Sequence, residues 1–407
     1  MSLRIRHLAE VNPSTPRFDR LSPDEHVTFM PLEAVWADHR LDMSRTRPKS
    51  EVSTGYTRFQ ENDIIVPKVT PTFQAGRSAI MSVLTNNAGA GSTELHILRP
   101  KQGTESRFLR YVVTSTPFLS MGVASFQGVA GLQRVPEDFI RDFPVARMSM
   151  QEQRRIADFL DAETSKIDKV KRLRSVQLSL LAERERAVID RYMVTETDQR
   201  VALSRLCRIQ TGVTVDSSRK TDNSELRPYL RVANVKADGL DLTDVTSILV
   251  DRPQAKRAEL RFGDVLMTEG GDIDKLGRGT LWSGEIDGCL HQNHVFAVRP
   301  GPRISGHYLA LLTRTTLARS YFEMTGAKTT NLASTSASKI LAFRVPLPSL
   351  SEQKRRAHAT TQEITKISEL ATTLNQQIKL LTERRQALIT AAVTGQLDVT
   401  TARSGVH

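Results

Sequence analysis

Three groups of residues in this 407-residue chain have the types and spacing that chemistry uses. Cys289, His291 and His294 lie close enough together to suggest a metal. A structural zinc needs four ligands, however, and Cys207 alone supplies no second cluster, so core or turn packing is the expected role. Gly270-Gly271-Asp272-Ile273-Asp274-Lys275-Leu276-Gly277-Arg278-Gly279 is rich in glycine but lacks the Lys-Ser/Thr ending of a phosphate-cradling loop. A loop carrying Lys275 and Arg278 toward DNA suits it better, and its counterpart in the first half is the stretch from Pro67 to Arg77. Val11-Asn12-Pro13-Ser14 begins like the Asn/Asp-Pro-Pro-aromatic loop that holds a flipped adenine, yet it has neither the second proline nor the aromatic ring. The expectation is a chain with no catalytic residue, no metal and no cofactor of its own.

Recognition is the chemistry left. Reading base edges in the major groove takes Arg or Lys for guanine and Asn or Gln for adenine. The candidates are Arg45, Arg47, Lys49, Arg58, Lys68, Gln74 and Arg77 in the first half, with Arg219, Lys220, Lys275, Arg278, Lys328 and Asn331 in the second. Any one of them alone is better explained as an ordinary exposed charge, and the groups are safer than their members. The net charge of +12 is spread along the chain rather than gathered in a tail. That suits several surfaces each touching phosphate lightly, and equally a composition that is simply rich in arginine.

The elements that must position these groups repeat at an offset of 200 residues. Ser149-Met150-Gln151-Glu152-Gln153 recurs as Ser349-Leu350-Ser351-Glu352-Gln353, and Leu180-Leu181-Ala182-Glu183-Arg184 as Leu380-Leu381-Thr382-Glu383-Arg384. Upstream the match weakens but keeps its frame, as in Arg99-Pro100 against Arg299-Pro300, while Asp63-Ile64-Ile65 meets Asp264-Val265-Leu266 one residue out of frame. A period this long means that a whole module was duplicated. Short β-branched runs separated by Gly, Pro, Asn and Ser clusters make each module α+β. Each closes on a Pro-containing strand, and a Ser-x-x-Glu capping box then opens a long helix. In the second helix Ile364, Ile367, Ala371, Leu374, Ile378, Leu381, Leu388 and Ala392 alternate by three and four, broken where Arg385 takes a core position. In the first, Leu160, Ile167, Val170, Leu173, Leu180, Leu181 and Val188 make a looser stripe interrupted by Arg174, and each helix is the natural partner of the other. Lys166, Lys169, Lys171 and Arg172 are placed to lie against phosphates, though a solvated face explains them as well.

This order of elements resembles the DNA-specificity subunit of type I restriction-modification enzymes. The residues that carry the resemblance are Val145-Ala146-Arg147-Met148-Ser149-Met150-Gln151-Glu152-Gln153-Arg154-Arg155-Ile156 and Val345-Pro346-Leu347-Pro348-Ser349-Leu350-Ser351-Glu352-Gln353-Lys354-Arg355-Arg356. Phe262-Gly263-Asp264-Val265-Leu266 and the run from Leu388 to Leu397 add to it. Two departures fall at joints: Val145-Ala146-Arg147 stands where the second half has a Pro-x-Pro run, and the end of the first helix lacks the glycine of Thr394-Gly395. The resemblance implies two target-recognition domains separated by two long antiparallel coiled-coil helices, each domain reading one half of a split, asymmetric site in double-stranded DNA. It implies two methyltransferase subunits docked on the helices and two motor-nuclease subunits that join for cleavage, with methyl donor, ATP and Mg²⁺ held by those partners. The domains are then expected at 1–148 and 196–348, the helices at 149–195 and 349–399, and a disordered tail at 400–407. With no apolar run long enough for a bilayer, no signal peptide at Met1-Ser2-Leu3-Arg4 and only two cysteines, expected as free thiols, the cytoplasm is the default location. A stand-alone DNA-modifying enzyme and a coiled-coil scaffold without a DNA role are the competing readings.

Overall fold

The computed structural model describes residues 3–36, 41–128, 133–214, 224–236, 239–271, 276–328 and 333–399. It divides into two compact units, Met1–Ser175 with Gln376–His407, and Val176–Asn375.

In the first unit an antiparallel sheet runs in the order Ala9–Val11, Leu95–Pro100, Ile64–Pro67, Ala79–Ile80. A second sheet orders Thr46–Pro48, His26–Met30, Ala88–Gly91 and Thr57–Gln60, with one parallel pairing in its centre. The second unit repeats the first sheet as Cys207–Thr211, Val295–Pro300, Val265–Thr268, Gly279–Leu281. Three short helices also recur at the offset seen in sequence: Ser106–Val113, Thr116–Ala124 and Glu137–Asp142 against Gly306–Leu312, Thr316–Thr325 and Ala337–Ala342. Both units are thus α+β and built alike.

The turn before the central strand is built alike in both units. Asn62 in one unit and Gly263 in the other take left-handed backbone, with φ of 68° and 91°, which Gly and Asn tolerate best. The turn delivers Asp63 and Asp264 into the core, and each receives an arginine two-handed. Arg99 Nε and Nη2 donate to Asp63 at 2.8 and 2.8 Å, and Arg299 does the same to Asp264 at 2.8 and 2.7 Å. Each carboxylate also accepts a backbone N–H, from Gln60 or Arg261.

Two 44-residue helices, Met150–Met193 and Leu350–Val393, follow the strands Pro144–Val145 and Arg344–Pro346. Ser149 and Glu152 form the expected capping box, Ser149 N donating to Glu152 at 2.7 Å and Glu152 N to Ser149 Oγ at 3.3 Å. The second helix keeps only half of it. Glu352 N still donates to Ser349 Oγ, but the Glu352 carboxylate turns to Arg355 and Arg356, whose hydrogen bonds pull its pKa down to about 2. Arg356 also grips Asp198, and that competing guanidinium is the reason the box opens.

The glutamine of each Glu-Gln start is buried and ties its helix to the preceding domain. Gln153 accepts from Glu105 N and donates to the Met148 carbonyl; Gln353 accepts from Ser305 N and donates to the carbonyls of Arg303 and Pro348. In the first unit the core takes in Ile156, Ala157 and Leu160 from one helix and Ile389, Ala392 and Val393 from the other. The second unit takes in Ala357 with Ile189 and Met193. Each core therefore holds the start of one helix beside the end of its fellow, which makes the pair antiparallel.

Along the first helix the less exposed positions are Ala157, Leu160, Thr164, Ile167, Lys171, Arg174, Leu178, Leu181, Glu185 and Val188. On the second they are the same places 200 residues on, including Ile364, Ile367, Leu374, Ile378, Leu381, Arg385 and Leu388. This corrects the stripe read from the first helix. Val170, Leu173 and Leu180 are 39, 57 and 56% exposed and lie off the seam, while Arg174 lies on it. Lys171 and Arg174 can occupy seam positions because a long side chain lays its stem along an apolar surface, and Glu185 does so paired with Arg314. Arg385 does so with a hydrogen bond to Asp168 at 3.2 Å.

Cys207 and Cys289 are free and buried, and burial pushes both thiols up to about 12. Neither should react with a thiol-disulfide reagent at pH 8 while the chain is folded, and both should react on addition of denaturant; fast titration of either thiol in the native protein would contradict the packing. Among the described residues no group of His, Cys, Asp and Glu could hold a metal, and no helix is long and apolar enough to cross a membrane. His291 is fully buried with Nδ1 2.7 Å from the Val295 carbonyl, and His294 pairs with Glu269.

Candidate nucleic-acid interface

The two sheets of the first unit border an open cleft of about 710 Å³, lined by Asn12, Ser14, Asp19, Tyr56, Arg58 and Lys68 among others. Arg58 and Lys68 are the sequence candidates the fold brings together there. Arg58 donates to Asp19 and to the Ser53 carbonyl and lies 4.7 Å from the centre of the Phe18 ring. Lys68 enters from the end of the central strand, donating to the Thr93 carbonyl at 2.8 Å, and burial lowers its pKa against the pull of Glu94. Asn12 is not a reader. Its amide donates to Glu137 and accepts from Ile97 N, which holds a turn with φ of 51°.

The other candidates of this unit lie apart. Arg47 stacks on Phe29 at 4.2 Å, and Phe29 meets Tyr56 edge-on at 5.4 Å, so an edge strand presents a cation backed by two rings. Arg45 is held by Glu33 and Asp42. Lys49 is occupied by the carbonyls of Asp19 and Leu21 at 2.9 and 2.5 Å, which makes it a brace for the short helix Pro16–Arg20. Arg77 turns inward to the Val35 carbonyl at 3.4 Å and buries its Nε, so it supports the loop from beneath. Gln74 is exposed and lines a second cleft, of about 450 Å³, with Lys171, Arg385 and Gln386.

In the second unit Arg219, Lys220, Lys275 and Asn331 lie outside the described residues, as does the side chain of Lys328 on the strand Ala327–Lys328. Arg278 is half-buried and takes the place of Arg77.

The residues that the sequence reading missed lie where each central strand runs on into a small arm. In the first unit Val69 bridges Arg134, which bridges Gln127. Arg134 makes a two-handed contact with Glu94 at 2.8 and 2.6 Å, beside Lys68. The second unit builds the same arm from Gly270–Gly271, Ala333–Ser334 and Ala327–Lys328. There Glu269 and His294 meet at 2.5 Å. The repeat could have found them: Arg134 falls opposite Ser334 and Glu94 opposite His294 at an offset of 200, and Lys68 opposite Glu269 in the stretch one residue out of frame.

Two solved structures share this architecture over nearly the whole chain. One, from work on "complex assembly and conformational transition of the type I R-M system", matches with a TM-score of 0.75 at 16% identity, covering 98% of both chains. The HsdS subunit from Thermoanaerobacter tengcongensis matches with a TM-score of 0.53 at 17% identity, covering 98% of this chain and 97% of that one. The chain shares the fold of that HsdS subunit. Sequence similarity points the same way over a shorter stretch. The type I restriction enzyme EcoAI specificity subunit of Escherichia coli is 32% identical over 157 residues, 37% of this chain and 26% of that protein. Its EcoEI counterpart is 30% identical over 153 residues, 37% of this chain and 25% of that protein. The match thus spans about a quarter of the length of these E. coli specificity subunits. No family model matches the chain.

Proposed function

We propose that the chain is the DNA-recognition subunit of a type I restriction-modification complex, without catalysis of its own. Each α+β module, 1–148 and 196–348, reads one half of a split, asymmetric site. The two long helices set the spacing between the half-sites and dock two methyltransferase subunits. Two motor-nuclease subunits join these for cleavage, and the methyl donor, ATP and Mg²⁺ belong to the partners. Arg45, Arg47, Arg58, Lys68 and Gln74 are the described candidates for DNA contact in the first module.

The observation that carries this reading is the duplication itself. The same sheet, the same buried Asp–Arg pair and the same glutamine clamp stand behind both modules, while the polar residues at the strand ends differ. Two different ligand surfaces on one repeated frame suit a bipartite, asymmetric target. The test is a single-molecule methylome of the source strain with and without the gene. Loss of one split adenine-methylation motif on deletion is expected. A methylome unchanged by deletion, in a strain shown to express the partner methyltransferase, would sink the proposal.

A further inference from the structure

We infer that the arm at the end of each central strand carries a base-reading position, and that the two arms read opposite hydrogen-bonding chemistries: Lys68 with Arg134 donates to guanine acceptors, and Glu269 accepts from an exocyclic amino group of cytosine or adenine. This rests on the proposed function and extends it to named residues.

The backbone shows that the positions are equivalent. Lys68 N donates to the Glu94 carbonyl at 2.8 Å, and Glu269 N donates to the His294 carbonyl at 2.9 Å. On the other side Val135 N donates to the Lys68 carbonyl at 2.9 Å, and Thr335 N to the Glu269 carbonyl at 2.8 Å. Each residue therefore sits between the same two backbone segments, with the same pair of hydrogen bonds, in its own unit.

Side chains that hold the frame are identical in both units: Asp63 and Asp264, Arg99 and Arg299, Gln153 and Gln353, Phe143 and Phe343. Arg77 and Arg278 also keep their identity and are half-buried. The arm does the reverse, keeping its backbone while Lys68 gives way to Glu269, Glu94 to His294, Arg134 to Ser334 and Gln127 to Ala327. A position whose role was packing would have kept its packing chemistry. One that changes from a cation to an anion at constant backbone is under a different constraint in each module, and two unlike half-sites supply such a constraint.

The chemistry follows from the donor inventory. A lysine ammonium and a guanidinium only donate, so in the major groove they select the O6 and N7 acceptors of guanine; an ionised carboxylate only accepts, so it selects an amino group. The Glu269 side chain is 39% exposed and His294 56%, with Nδ1 of the imidazole placed to orient the carboxylate. Lys68 is aimed by the Thr93 carbonyl and Arg134 by Glu94.

The test is the methylation motif written in cells by the wild-type chain, Glu269→Gln and Lys68→Met, each with its partner subunits. Glu269→Gln is expected to relax one base pair of one half-site, with roughly tenfold or greater loss of discrimination there, a scale set by a single base contact. The other half-site and the spacing should stay unchanged. Lys68→Met should relax one base pair of the opposite half-site, and the identity of each relaxed base says whether guanine, cytosine or adenine was read. Melting temperatures of the purified chains guard against misfolding, and Glu269→Ala carries the same test if Glu269→Gln melts early. A wild-type motif retained at every position by the folded variants, or weakened equally at all positions, overturns the assignment. A wild-type chain that writes no motif overturns the recognition-subunit reading instead.

Discussion

Replacing Arg299 by alanine should destabilise the second unit by about 3–5 kcal/mol, the usual cost of removing one partner from a buried ion pair. Asp264 is 1% exposed and would be left with the Arg261 amide as the donor to its carboxylate. The next three residues along the chain, Val265, Leu266 and Met267, are buried in the strand paired with Val295–Pro300. Arg99→Ala should act in the same way on Asp63 in the first unit. Chemical denaturation of each variant measures the loss, and a change below about 1 kcal/mol would show the pair to be replaceable. Asp264→Asn is the informative companion: it keeps the shape and removes the charge, so a milder loss separates hydrogen bonding from electrostatics.

Gln353→Ala should cost about 3 kcal/mol or more, because one fully buried amide satisfies three backbone groups. It accepts from Ser305 N at 3.0 Å and donates to the Arg303 and Pro348 carbonyls at 2.9 Å each. Each group left unpaired in the core carries a penalty of about 1–3 kcal/mol. The effect should exceed that of Gln153→Ala, whose amide makes two such contacts. Hydrogen exchange at the Ser305 amide would rise with the loss of its acceptor. Equal stability of Gln353→Ala and the wild type would mean that water or a neighbour fills the place, contrary to the packing around it.

The duplication, the α+β character of both modules and the two helix starts were legible in the chain, because each rests on local signals repeated at one offset. Asp63 and Asp264 could be paired by eye, and so could Arg99 and Arg299; that they bond to each other across the sheet could not. The first helix shows the limit clearly. Its leucines and valines make a plausible stripe through Val170, Leu173 and Leu180, but the second helix settles the seam one position away, where Lys171 and Arg174 lie. The basic candidates fared unevenly for the same reason. Lys49 and Arg77 are as cationic in sequence as Arg47, yet Lys49 is held as an internal brace by two carbonyls of another segment, and Arg77 turns inward with its Nε buried.

By itself, then, the sequence determined what repeats: the modules, their strand ends, the capping serines and the heptad of the second helix, all matters of short-range spacing and side-chain type. The tertiary structure alone decided which charges remain available to a ligand and which face of the first helix is buried. A cation is free or spent according to acceptors that arrive from residues tens to hundreds of positions away, and no local pattern encodes where those acceptors come to rest.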